Sequence, residues 1–187
     1  MTNTGMHRMQ QAKNLGERLK NLKIVKVLTS DLLRTKQTAQ AVLQARSEPL
    51  QMVENDLLRE REFGDLKGTS YADFPMELFH PKSDYQPPNG ESWETFHARI
   101  GRAWDWVLSH AKSALKGPED VLLVVTHGLV KSSLASRIWN FKEHISFENT
   151  SVSTVSLAAP HQIHEINCTS HLEDLLAAES EDPKAKL

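Results

Sequence analysis

The sequence predicts an α/β fold, a mostly parallel sheet with helices on both faces. Three observations lead there. Segments with apolar residues at three- and four-residue steps alternate with short β-branched runs, the pattern of strands joined through helices. Residues 121–125 (Val-Leu-Leu-Val-Val) are apolar at every position, as expected of a strand buried on both faces of a parallel sheet. Both of the clearest strands run into polar groups, Thr29-Ser30-Asp31 after the first and Thr126-His127-Gly128 after the second. Ligands of open α/β sheets bind beyond the carboxyl ends of the strands, so these are the positions at which chemistry is expected.

The elements follow in order. Met6, Met9, Ala12, Leu15, Leu19 and Leu22 predict a helix over 4–22, with Thr2, Asn3 or Thr4 as its cap. A β-branched run over 24–28 predicts the first strand, and Thr29-Ser30-Asp31 is helix-start chemistry. The next helix carries Leu32, Leu33, Ala39, Val42 and Leu43 and ends before Pro49, with a short strand over 50–53. Residues 64–90 contain Gly64, Gly68, Pro75, Pro81, Pro87, Pro88 and Gly90, which break any long element and predict a loop-rich excursion. Such an excursion is either a lid or specificity element or a surface insertion. Over 92–115, Phe96, Ile100, Ala103, Val107, Ala111 and Leu115 form one helical stripe, ended by Gly117-Pro118. The strand over 121–126 leads through His127-Gly128 into a helix with Val130, Leu134 and Ile138, and two strands flank Ala159-Pro160 within 151–167. The acidic stretch after Glu179 reads as a frayed tail.

Composition bounds the function. A length of 187 residues with 39% hydrophobic and 25% charged residues suits one ordinary globular domain rather than a disordered chain. The formal net charge of −2 has mixed signs throughout, so no basic face points to nucleic acid or an anionic membrane. The longest strongly apolar run is far too short for a membrane span, residues 1–14 have no apolar signal-like core, and Cys168 is the only cysteine. A cytoplasmic protein with neither membrane nor nucleic-acid partner is the expectation.

Two residues stand out at the predicted strand ends. Arg34 falls in the first turn of its helix, where a cation opposes the macrodipole by about 0.3–1 kcal/mol unless an anion sits between them. It either clamps a phosphate together with the helix-start N–H groups or turns away to solvent or Asp31. His127 follows an apolar strand and precedes Gly128, which permits close approach of a ligand; the histidine either faces a bound anion or is a core residue satisfied by hydrogen bonds. Charge concentrates in Leu57-Leu58-Arg59-Glu60-Arg61-Glu62-Phe63-Gly64, where a carboxylic acid could protonate a leaving alkoxide. The chain contains no G-x-G-x-x-G, Walker A or G-x-S-x-G sequence. His161-x-x-His164 lies in a predicted hairpin without further ligands at metal spacing, so neither a metal nor another cofactor is expected.

Together these segments resemble the histidine phosphatase (phosphoglycerate mutase-like) superfamily. Ser30-Asp31-Leu32-Leu33-Arg34-Thr35-Lys36-Gln37-Thr38-Ala39 is similar to its S-x-L-x-R-A-x-x-T-A block, and Leu58-Arg59-Glu60-Arg61-Glu62-Phe63-Gly64 to its L-x-E-x-x-F/Y-G block. Gly90-Glu91-Ser92, Val125-Thr126-His127-Gly128 and Glu148-Asn149-Thr150-Ser151-Val152 follow in the family's order, and Thr2-Asn3-Thr4-Gly5 through Gln11-Ala12 resembles its L-T-x-x-G-x-x-Q-A stretch. The wording around Arg34 and Glu60 is most similar to TIGAR-type fructose-2,6-bisphosphatases. The resemblance implies a small phosphorylated substrate, a nucleophilic histidine that takes the phosphoryl group and water that releases it, with no metal. It implies that Arg34 clamps phosphate oxygens, His127 and Gly128 meet the transferring group, Glu60 is the acid and then the base, and Arg61 and residues 64–90 contribute selectivity.

The resemblance also implies an Arg-His-Gly motif at the end of a first, central strand, and no Arg-His-Gly occurs in the chain. His7-Arg8 has the reverse order and lacks the glycine. We therefore assign no nucleophile. The expectation is an N-terminally truncated domain over 1–170 with a tail at 171–187, lacking the first central strand and inactive as written. Loss of a central strand would leave neighbouring edges unpaired or let the sheet close up. A non-catalytic relative that binds phosphorylated ligands or a protein, and a phosphoglycerate mutase, are the alternative functions.

Overall fold

A computed structural model of the chain describes residues 3–69, 73–75, 78 and 83–175. The element order is α1 (Asn3–Leu19), β1 (Ile24–Ser30), α2 (Leu33–Gln44), β2 (Met52–Asn55), α3 (Trp93–Ala114), β3 (Val121–Val125), α4 (Gly128–Arg137), β4 (Val152–Val155) and β5 (Ile163–Cys168). The α/β alternation expected from periodicity is what the chain adopts. The tail expected after Glu179 lies outside the described residues, as do parts of 64–90.

β1 is the central strand of a three-stranded parallel sheet in the order β2-β1-β3, with Leu28 opposite Val53 on one side and Val124 on the other. Successive residues of a strand face opposite ways, and the core divides accordingly. Val27 packs with Leu15, Leu19, Ala39 and Val42 of α1 and α2. Leu28 packs with Leu58, Phe96, Ile100, Val130 and Leu134 on the side of α3 and α4. Helices therefore cover both faces.

Two expectations are corrected. The first helix ends at Leu19, not at residue 22, because the Arg46 guanidinium donates to the carbonyls of Leu19, Lys20 and Leu22 and satisfies the helix end. β3 is only partly buried at Val121–Val124, since it is an edge strand, whereas β1 takes the central, most buried place. The hairpin expected around Ala159-Pro160 is present, as an antiparallel pair of β4 and β5 separate from the parallel sheet. β1 is paired directly to both β2 and β3. Among the described residues no helix is long and apolar enough to cross a membrane.

The base of the 64–90 excursion is tied shut. Asp65 N–H donates to the Pro88 carbonyl and Glu91 N–H to the Glu62 carbonyl. Gly64 holds φ of +54°, and a Cβ there would lie 2.0 Å from the Pro88 oxygen, so the closure requires glycine.

Candidate active site

The parallel sheet brings three side chains, far apart in sequence, to one edge. Arg34 is the second residue of α2, after β1; Glu60 follows the turn after β2; His127 occupies the position preceding α4, after β3. Neither α2 nor α4 has an acidic residue in its first turn. The carboxyl group at the start of α4 comes instead from outside the helix, from Glu60, which accepts from the Leu129 N–H.

Arg34 Nε donates to His127 Nδ1 at 3.2 Å. Asp31, the residue Arg34 could have paired with, is taken by Arg59. Because Nδ1 accepts, the imidazole carries its proton on Nε2. That atom is buried and has no partner in the fold, and His127 as a whole is 7% exposed. Burial, and then the charges of Arg34 and Arg99, push its pKa down to about 3, so the ring is a neutral donor. The structure thus places His127 as a mostly buried histidine held by one hydrogen bond, with its second ring nitrogen left without a partner in the fold.

Glu60 is half-buried. Its Oε1 accepts from the Arg61 N–H at 3.0 Å, and its Oε2 accepts from the Leu129 N–H at the start of α4 at 3.1 Å. Burial raises its pKa, only partly opposed by those two N–H groups and by Arg34. A carboxyl group so placed holds a proton at higher pH than an ordinary glutamate, as a general acid must. Gly128 lies between Glu60 and the 147–151 segment: a Cβ there would be 4.0 Å from Glu60 Oε2 and 3.9 Å from the Phe147 carbonyl oxygen. Its backbone does not take a positive φ, and those distances are ordinary van der Waals contacts, so the fold itself does not demand glycine here.

Arg61 is not among these side chains. It is 2% exposed, stacks 4.1 Å over the Trp93 ring, and donates to the carbonyls of Leu78, Tyr85 and Glu91. Its guanidinium organises the excursion and the start of α3. Arg99 escaped the sequence reading altogether. It forms a two-pronged pair with Glu91 at 2.8 and 2.7 Å and donates to the carbonyls of Leu57, Arg59 and Glu60, fixing the backbone that carries Glu60. Gly90-Glu91-Ser92 was its only signal. Thr126 adds a second tie, its hydroxyl donating to the Leu58 carbonyl at 2.8 Å. His161 and His164 are bonded to different atoms of Ser156. Open surface clefts of about 340 Å³ beside Asn14, Arg18 and His171 and about 420 Å³ beside Trp93, His97 and Arg137 lie outside this cluster.

Fold and site together define an α/β protein that gathers a guanidinium, a neutral imidazole and a carboxyl group of raised pKa at one edge of a parallel sheet. The chain belongs to the histidine phosphatase superfamily (branch 1), which matches residues 6–169. It is 31% identical over 170 residues to a 2,3-bisphosphoglycerate-dependent phosphoglycerate mutase of Bartonella bacilliformis, covering 86% of this chain and 78% of that protein. It is 29% identical over 147 residues to the fructose-2,6-bisphosphatase TIGAR of Xenopus laevis, covering 74% of this chain and 53% of that one, about half its length. The crystal structure of a phosphoglycerate mutase from Bacillus anthracis matches with a TM-score of 0.73 at 24% identity, over 92% of this chain and 84% of that chain, a likeness of fold.

Proposed function

We propose that this chain carries the phosphate-binding and proton-transfer side of a phosphomonoesterase site, for a phosphorylated sugar such as fructose-2,6-bisphosphate. The observation that carries the reading is His127, buried and neutral with an unpartnered Nε2–H and its ring oriented by Arg34. A phosphate bound there accepts from His127 Nε2 and displaces Arg34 onto its oxygens, relieving the unpaired guanidinium at the helix start. Glu60 gives its proton to the leaving oxygen and later takes one from the attacking water. The sugar bisphosphate is favoured by the Arg34 and Glu60 wording and by the TIGAR relative.

No Arg-His-Gly occurs in the chain, and no nucleophile is assigned. The chain by itself is proposed to bind phosphate without turning over esters, which is also what a non-catalytic phospholigand-binding relative would do. The mutase reading draws on the Bartonella relative. Turnover of fructose-2,6-bisphosphate and para-nitrophenyl phosphate by this chain, beside a form extended by a strand bearing Arg-His-Gly, separates these. Loss of the nucleophile costs on the order of 10⁶ in turnover, so the extended form alone should be active. Comparable turnover by the short chain would overturn the roles given to Arg34, Glu60 and His127. Release of inorganic phosphate indicates a hydrolase, and transfer to a second position of the substrate indicates a mutase.

A further inference from the structure

Lys131 is a second cation at the start of α4, one helical turn beyond His127, and its N–H donates to the His127 carbonyl at 3.0 Å. Its Nζ donates to Ser151 Oγ at 2.7 Å and to the Ser151 carbonyl at 3.3 Å, and sits 4.6 Å from the centre of the Phe147 ring. No ion pair reaches it among the described residues. Burial lowers its pKa to about 8, with Glu148 and Glu60 acting the other way. A desolvated cation near a positive helix end is costly until an anion joins it.

The segment that Lys131 holds borders the site, because the Phe147 carbonyl oxygen and the Glu60 carboxyl oxygen both lie within 4.0 Å of where a Cβ on Gly128 would stand, and Glu60 acts electrostatically on Lys131. Glu60 is where the alcohol of the ester departs, so Lys131 stands on the leaving-group side. Resting on the phosphate-ester reading, we propose that Lys131 is a specificity-determining residue that takes a second anionic group, a phosphate or a carboxylate, on the alcohol part of the ester.

The test is calorimetric titration of the full chain with inorganic phosphate, glucose 6-phosphate, fructose-2,6-bisphosphate and 3-phosphoglycerate. In Lys131→Met, the affinity for the two-anion esters relative to glucose 6-phosphate should fall about tenfold or more, the worth of a charge-assisted hydrogen bond. A fall for fructose-2,6-bisphosphate alone assigns a second phosphate; a fall for 3-phosphoglycerate alone assigns a carboxylate. An unchanged ratio overturns the proposal. Ser151→Ala loosens the tether and keeps the charge, so it should hold the ratio within about twofold, as should Lys131→Arg. A loss in Ser151→Ala equal to that in Lys131→Met would make the segment, not the charge, the discriminating element, and would also overturn it. If Lys131→Met does not fold, Lys131→Gln replaces it. Failure of the unsubstituted chain to bind inorganic phosphate would overturn the site reading itself, whereas phosphate binding with an unchanged ratio would overturn this inference alone.

Discussion

At the site, His127 and Arg34 each complete what the other lacks. Arg34 fixes the tautomer, and the buried imidazole gives the guanidinium a neutral acceptor rather than a competing carboxylate. Removing the ring leaves Arg34 without that acceptor and, on the proposed function, removes a donor to phosphate. His127→Ala should therefore weaken inorganic phosphate binding by about tenfold or more, measured by phosphorus NMR titration. Unchanged binding would show that phosphate sits elsewhere. Glu60→Gln, in a form supplied with a nucleophile, should slow alkyl phosphates far more than para-nitrophenyl phosphate, whose leaving group needs no proton. Equal slowing of both substrates would exclude Glu60 as the acid.

Among the elements, the excursion at 64–90 depends on a few closing contacts. The planar Arg61 fork satisfies three backbone carbonyls at once with its centre 4.1 Å over the Trp93 ring, which a lysine ammonium cannot reproduce. Both Arg61→Met and Arg61→Lys should destabilise the fold by about 2–4 kcal/mol in urea unfolding and open 64–90 to protease nicking. Stability within error of the unsubstituted chain would mean that the three carbonyls find other partners. Gly64→Ala should act similarly, since its Cβ would meet backbone on the far side of the closure. α3 is the element that joins this loop to the site: Ser92 caps it by accepting from the Thr95 N–H, Trp93 receives Arg61, and Arg99 holds the Glu60 backbone.

The whole molecule shares one sheet between two cores, and its stability carries a pH dependence. Burial lowers the pKa of His97 to about 4 and that of His127 to about 3, from an ordinary 6.5. The folded chain therefore binds fewer protons than the unfolded chain between those limits. The stability these rings contribute is complete above about pH 6.5 and is lost as pH falls toward 4 and 3. The urea midpoint should drop between pH 7 and pH 5, and the drop should be smaller in His97→Gln. An equal drop in that variant would assign the acid sensitivity to other groups. Phe96→Ala, at a fully buried position of the larger core, should cost about 3–5 kcal/mol.

The sequence by itself determined the element order and many of the residues that line the cores, although Met9, Leu22 and Leu33 of the expected stripes are exposed. The stripe of Phe96, Ile100, Ala103, Val107 and Ala111 is buried along α3 as its period requires, and the polar groups after two apolar strands marked the sheet edge. It also determined the family, through short blocks whose order is as informative as their wording. Only the tertiary structure decided which of β1 and β3 is central, that β4 and β5 stand apart as a separate pair, and what each charged side chain does. Arg34 and Arg61 look alike in sequence, yet one faces an open helix start and the other is spent on loop carbonyls 17 to 30 residues away. Periodicity is local and follows from helix and strand geometry. A guanidinium's partners, a histidine's tautomer and a carboxyl's pKa depend on burial and on groups brought close by chain crossings, which no local pattern encodes.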